Sequence, residues 1–263
     1  MLEPKGPVKA LGKALELLEL LLGHRRPMSL QEICARSGCP KSTAHALLTT
    51  LREYRMIDQD PDGRYRLGIR LYEYGSAVSA MWDARQLAHP YLEQLAQALG
   101  TGTYLAIRSG DYAISIDSCA ASSGAGLSVS VETGTPLPLH ATAQGKLLLS
   151  GASEQELRRY CRQVGLRPYT RHSLTDPEAL AEDLARVRIQ GYALEDGEYR
   201  VGLRAVAAPV YDAAGSPAYA IGAVGLFPRV QSEEFRAVVA RTVDAAARLS
   251  AALGCPSEKL PAL

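Results

Sequence analysis

The stretch SLQEICARSGCPKSTAHALLTTLREY, Ser29 to Tyr54, decides the fold. Ser29-Leu30-Gln31-Glu32 reads as a capping box. The serine hydroxyl accepts from the Glu32 amide, and the glutamate side chain answers the Ser29 amide. A short helix follows, with Leu30 and Ile33 facing inward, and it ends at Ser37-Gly38. Pro40 suits the first position of the next helix, where a missing N–H costs nothing. Ala44, Leu47, Leu48 and Leu51 give that helix a buried stripe. Two helices joined by a short glycine-bearing turn form a helix-turn-helix pattern.

Outward on one side, Val8, Leu11, Leu15, Leu18 and Leu22 recur at helical spacing and predict a first helix with those residues as its core face. Gly23 and the run to Pro27 are expected to stop it. On the other side, Asp60-Pro61-Asp62-Gly63 separates Met56-Ile57-Asp58 from Arg64-Tyr65-Arg66-Leu67. An Asp-Gly pair between short alternating runs signals a hairpin. Three helices and a hairpin make a winged head. From Ile69 to Leu99 the pattern is helical again, with expected interruptions at Gly75 and Pro90.

The rest of the chain alternates. Tyr104–Ile107 and Ala113–Ile116 read as a strand pair turned at Gly110-Asp111, and Leu127–Val131 as a further strand. Ala143–Leu149 is a short helix. Thr175-Asp176-Pro177-Glu178 reads as a second capping box, with Leu180, Leu184 and Val187 behind it. Val206–Tyr211 and Ala218–Phe227 are strands around Ala214-Gly215, and Phe235–Leu253 is a closing amphipathic helix. The fold class is α+β, an antiparallel sheet with helices on one side. The expected division is a winged head over 1–70, a linker helix over 71–84 and a second domain over 85–255.

Charge divides along the same boundary. Through Arg70 there are 12 Lys and Arg against 8 Asp and Glu, and beyond it 17 against 20. A basic head on an acidic body fits a head that meets phosphate. The start, MLEPKGPVKALGKAL, carries no signal-peptide core and no apolar run is long enough to cross a bilayer, so a cytoplasmic protein is expected. Five scattered cysteines argue against a disulfide framework. The Cys34 and Cys39 spacing is not that of a zinc site. Neither a metal nor a cofactor is expected.

A recognition helix offers short polar and basic side chains at its N-terminal end, because that end enters the major groove. Here these are Lys41, Ser42, Thr43 and His45, with Thr49 and Arg52 further along the same side and Ser29 at the preceding cap. In the wing, Arg64 and Arg66 flank Tyr65 and suit backbone or minor-groove contact. Taken alone, Lys-Ser-Thr is a solvated helix cap and the arginines an ordinary charged hairpin. Their order within one short segment is what points to double-stranded operator DNA.

These stretches resemble the IclR family of bacterial transcription regulators. The likeness runs through PKSTAHALLTTLREYRMI, DPDGRYRLG from Asp60, PLHATAQGKLLL from Pro138 and the long segment from Ser173 to Gly215. It implies a GAF/PAS-like effector domain, homodimers that pair into tetramers, and control of a catabolic operon. Two positions depart from the family: Ala46, where an arginine is common, and Arg55, where a glycine is usual.

The resemblance also implies a cavity lined by Val129, Leu137, Ala143, Gln144, Gly145, Glu195, Leu203, Ala205, Gly222 and Val224. Amides at the start of the Ala143 helix suit a carboxylate. Gly222 and Val224 stand where sensors of small oxo acids tend to carry serines. Room at Gly222 then points to a larger, aromatic organic acid. The alternative is a cytoplasmic metabolic enzyme whose head binds another protein. His140 is its natural candidate, with Cys119, Ser150 and Asp117 as possible companions, but no nucleophile elbow frames them.

Overall fold

The computed structural model describes residues 8–80, 83–121, 129–256 and 258, with backbone alone at 77–80 and 83. The chain divides into two compact units, Met1–Trp82 and Asp83–Leu263.

The first unit is a three-helix head with a wing: α1 (Lys9–His24), α2 (Leu30–Ser37), α3 (Lys41–Glu53), the strands β1 (Ile57–Gln59) and β2 (Tyr65–Leu67), and then α4 (Ile69–Ala80). The Ser29/Glu32 capping box forms in both directions. Gly38 ends α2 in the left-handed conformation with φ 67°. Leu17, Leu21, Met28, Ile33, Leu48, Ile57 and Tyr65 make the core.

Three expectations for this unit are corrected. The stripe predicted to be the inner face of α1 is mostly outside: Val8, Leu11, Leu15 and Leu22 are each more than half exposed, while Leu17 and Leu21 are buried. Gly23 does not end α1; the helix runs to His24 and closes on Arg25, at φ 55°. Gly75 lies inside α4.

The second unit opens with α5 (Asp83–Leu99), which carries Pro90 within it. There follow β3 (Gly102–Ser109), β4 (Tyr112–Cys119), β5 (Pro136–Pro138), α6 (Ala143–Ser150), α7 (Glu154–Gln163), α8 (Pro177–Gln190), β6 (Ala193–Asp196), β7 (Arg204–Tyr211), β8 (Pro217–Gly225) and α9 (Glu233–Ala252). Six strands form one sheet in the order β5-β4-β3-β8-β7-β6. Every neighbouring pair is antiparallel.

Helices cover both faces of this sheet, not one. Leu92 and Leu95 of α5 and Ala245, Ala246 and Leu249 of α9 pack on Leu105, Ala208, Val210 and Ile221. On the other face, Ala143 and Leu147 of α6 and Val187 of α8 meet Tyr104, Ala106, Ala193, Ala205, Ala207 and Ala220. The two sets alternate along β3, as a strand buried on both sides requires. The strand expected at Leu127–Val131 is not formed where it is described: Val129–Val131 are outside any ladder, Leu127 and Ser128 lie outside the described residues, and the edge strand is β5. The second cap is also revised, since Asp176, not Thr175, accepts from the Ala179 amide at 2.8 Å with Pro177 following it.

Candidate nucleic-acid interface and effector site

The head presents its polar residues from α3 and the wing. Burying Ala44 and Leu48 turns the opposite side of α3 outward. Lys41, Ser42, His45 and Arg52 are exposed, and Thr43 and Thr49 half-exposed. The Thr49 hydroxyl donates to the His45 carbonyl at 2.9 Å. Arg52 reaches across to Gln59 Oε1 of β1 at 2.6 Å, which ties the end of the recognition helix to the wing. Ala46 is exposed on this face, so the shorter side chain leaves room beside His45.

The wing arginines are both exposed and both have an acidic neighbour. Arg64 Nη1 lies 3.2 Å from Glu32 Oε2, the oxygen that also takes the Ser29 amide at 2.7 Å and hydroxyl at 2.8 Å. Arg66 lies 3.9 Å from Asp58, its cross-strand partner. Exposed pairs of this kind hold little energy and exchange readily for phosphate. Ser29 is occupied by its cap. Tyr65 is corrected: it is buried in the head core, and its backbone exchanges hydrogen bonds with Met28 at 2.7 and 2.9 Å. It sets the wing against the head and cannot reach a groove.

In the second unit the register gathers most of the expected lining. Glu195 faces Ala205 and Ala205 faces Val224, one row across β6, β7 and β8. Gly222 is one row along, between Ala207 and Tyr104. Ala143 of α6 packs on this face with Ala205 and Val224. Leu203 is half-buried just before β7. Val129 crosses close above the β3–β8 pair; a Cβ on Gly102 would come 2.1 Å from its carbonyl oxygen. Gln144 is buried and donates to Ser115 at 3.4 Å. Leu137 stands apart, on β5 at the far edge, about 24 Å along the sheet from β6 at ~4.8 Å per strand.

Two details change the expected site. There is no room at Gly222. A Cβ there would fall 2.4 Å from the Tyr104 hydroxyl and 2.3 Å from the Val206 carbonyl, because Tyr104 lies over the glycine and donates to Val206 at 3.2 Å. Gly145 is a glycine for a packing reason: a Cβ would meet the Leu139 Cα at 2.6 Å. Its amide donates to Thr142 Oγ1 at 3.1 Å. The amides of Ala143 and Gln144 precede the first intrahelical donor of α6, the Lys146 amide that reaches the Thr142 carbonyl, which leaves them as the anion-directed groups.

The sequence reading missed a buried charge cluster beside this face. Lys146 of α6 is almost wholly buried, with Nζ 2.6 Å from Glu198 and 3.0 Å from Asp183. Burial raises the Glu198 carboxyl against the pull of Lys146. Its Oε2 has no hydrogen-bond partner among the described residues. Glu195 accepts from the Tyr199 amide at 3.1 Å, and burial lifts its carboxyl to about 7, with Glu198 adding to the rise. The legible signal was a lone lysine inside the apolar run AQGKLLL, which cannot be buried without acids.

His140 is structural. Arg167's carbonyl can only accept, so Nε2 carries the proton at 3.1 Å, and Nδ1 accepts from the Tyr160 hydroxyl at 2.9 Å. Burial pushes its pKa down. Cys119 and Asp117 are elsewhere, beside His89.

Comparison with known proteins bears on both parts. The family model for the IclR helix-turn-helix domain matches residues 10–61, and that for the bacterial transcriptional regulator IclR C-terminal matches residues 76–251. The chain belongs to the IclR family. It is 34% identical over 251 residues to the HTH-type transcriptional regulator XynR of Escherichia coli, covering 95% of this chain and 99% of that protein. It is 31% identical over 252 residues to the transcriptional repressor IclR of the same organism, covering 95% and 91%. An IclR regulator structure from Alicyclobacillus acidocaldarius superposes with TM-score 0.81 at 31% identity, over 95% of this chain and all of that one. An IclR homologue from Microbacterium hydrocarbonoxydans, complexed with 4-hydroxybenzoate, gives 0.79 at 25% identity, over 93% and 99%. These relatives are DNA-binding transcription regulators, so the enzyme alternative gives way. No helix among the described residues is long and apolar enough to cross a membrane.

Proposed function

We propose that this IclR-family regulator binds a near-palindromic operator in the cytoplasm as a homodimer, with dimers pairing into tetramers. It controls a catabolic operon and senses a hydroxylated aromatic acid. The head over 1–70 reads DNA through Lys41, Ser42, Thr43, His45, Thr49 and Arg52, with Arg64 and Arg66 on the backbone. Residues 71–84 link it to an effector domain over 85–255.

The observation that carries the ligand class is Glu195, a buried carboxyl raised to about 7 at the end of an otherwise apolar row. An ionised Glu195 repels an anion but accepts well from a ligand hydroxyl. The ligand's own carboxylate then belongs at the amides of Ala143 and Gln144, at the other end. The Tyr104 hydroxyl is engaged by Val206, and Val224 offers none, so the wall between is apolar. A ring with an acid at one end and a hydroxyl at the other satisfies both. The 4-hydroxybenzoate in the Microbacterium relative has that pattern, which supports the reading.

DNA binding is tested by titrating operator duplex at several salt concentrations. Arg66→Ala should weaken all operators alike and reduce the log–log salt slope by about one unit. An unchanged slope removes Arg66 from the interface.

A further inference from the structure

Two loops of the second unit, 166–173 and 197–202, are held together as one surface. The Thr170 hydroxyl donates to the Gly197 carbonyl at 2.7 Å, and the Ser173 hydroxyl donates to the Glu198 carbonyl at 2.7 Å. Tyr169 and Tyr199 meet edge to face, with ring centroids 5.0 Å apart. The Arg167 guanidinium lies 5.7 Å from the Tyr169 centroid, and that of Arg200 5.6 Å from the Tyr199 centroid. Arg171 donates to its neighbour His172 at 3.1 Å. All three arginines are exposed.

The charges on this surface are left open. Elsewhere on the unit arginines pair with acids of the same chain: Arg158 with Glu154, Arg159 with Asp111 and Arg186 with Asp183. None of Arg167, Arg171 and Arg200 has an acidic partner among the described residues. Acids follow directly in the chain, beyond Leu174 and Thr175. The inner side of α8 is fixed by buried Leu180 and Leu184, and by Asp183 at 3.0 Å from Lys146. That turns Glu178 and Glu182 outward, one helical turn apart. Both are exposed, and neither has a cationic partner among the described residues.

We propose that this face is the contact through which two dimers of the chain pair, with Arg167, Arg171 and Arg200 of one copy against Glu178 and Glu182 of another. The inference rests on the tetramer of the proposed function and names the surface that makes it. A two-fold contact puts the same patch on both partners, so the patch must complement itself. Unpaired cations beside unpaired anions meet that condition. With the axis near Thr175, the basic loops of each copy face the start of α8 in the other, and every pairing occurs twice. Tyrosine and arginine are also the residues that interfaces concentrate at their centres. The acid excess of the chain beyond Arg70, 20 against 17, disfavours a DNA duplex on this face.

The test is a charge swap in the full chain, read by sedimentation equilibrium across the micromolar range. Arg171→Glu with Arg200→Glu should weaken the pairing of dimers tenfold or more and leave the dimer intact. Glu178→Arg with Glu182→Arg should do the same. Each variant now repels its own copies but complements the other. An equimolar mixture of the two should therefore recover the tetramer, which also shows that both are folded. Arg171→Ala with Arg200→Ala, which adds no repulsion, should weaken the pairing by a smaller factor. A parent no larger than a dimer overturns the tetramer and this surface with it. A tetrameric parent whose charge-reversed variants stay tetrameric overturns the surface alone. A mixture that stays dimeric overturns the pairing of the loops with α8.

Discussion

Arg55 stands where the family resemblance leads glycine to be expected, and its backbone conformation is one that favours glycine. Its φ is 57°, left-handed space in which a Cβ crowds the following carbonyl. The chain holds it there: its amide donates to Arg52 and its carbonyl accepts from Arg70. Gly68 completes the corner, since a Cβ there would lie 2.3 Å from the Arg55 carbonyl. The arginine gains only an exposed contact with Glu73 at 3.9 Å, which offsets little. Arg55→Gly should therefore stabilise the head by about 1 kcal/mol in urea denaturation; a loss of stability would contradict the strain. Glu195 gives a residue-scale prediction with a pH sign. Burial holds its folded pKa at about 7, above the ordinary glutamate value of 4.5. The folded state thus holds the proton more tightly, and this group's contribution falls as pH rises from about 4.5 to 7. Glu195→Gln keeps an acceptor for the Tyr199 amide and removes the titration. Its stability relative to the parent should rise between pH 5 and pH 8, by at most about 3 kcal/mol. A pH-independent difference would show that the carboxyl is not raised.

At the scale of elements, α1 carries two apolar faces and the sequence pattern alone could not rank them. Leu11, Leu15, Leu18 and Leu22 keep helical spacing as well as Leu17 and Leu21 do. The head is small, and α2, α3 and β2 can cover only one side of α1. The other side keeps its leucines exposed, as α4 does Ile69, Tyr72 and Tyr74. Along α4, Tyr74 is exposed and Leu71 half-buried, while the Val78 side chain lies outside the described residues. Leu17→Ala should cost the head about 2–5 kcal/mol by opening its core. Leu15→Glu should leave that stability nearly unchanged and shift sedimentation toward monomer, if α1 meets a second copy. An unaltered oligomer would place the interface elsewhere. What was legible followed local rules: the Ser29 box, the Gly38 turn, and the β3–β4 hairpin at Gly110-Asp111. α7 went unread, although Ser153 and Glu156 form a capping box at its start, because its short polar sequence shows no apolar period. The three-residue β5, the short β6 and the pairing of β3 with β8 depend on contacts distant in sequence, where no local period helps. The effector row was placed by family likeness. Its occupation by Tyr104 and the buried Lys146 cluster needed coordinates, because a glycine reads the same whether the space beside it is empty or filled.

At the scale of the molecule, the two compact units divide the work, and regulation requires that their equilibria be coupled. A ligand that changes operator affinity by some factor must have its own affinity changed by operator DNA by the same factor. This makes the ligand class and the regulatory role testable together. Calorimetry with 4-hydroxybenzoate and with pyruvate should favour the aromatic acid by about one to two decades. That is the cost, ~1–3 kcal/mol, of burying a second ligand oxygen against Val224 and the engaged Tyr104 hydroxyl with no donor left for it. Benzoate should fall between them, since it has the ring and the acid but nothing for Glu195 to accept from. The titration of 4-hydroxybenzoate is then repeated with saturating operator duplex, and the operator titration with saturating acid. The two shifts should agree, with a coupling of about 1–3 kcal/mol in either sense. Tight pyruvate binding without a response to 4-hydroxybenzoate would refute the apolar wall. Binding of the acid with no shift in either direction would leave the pocket standing but detach it from the head.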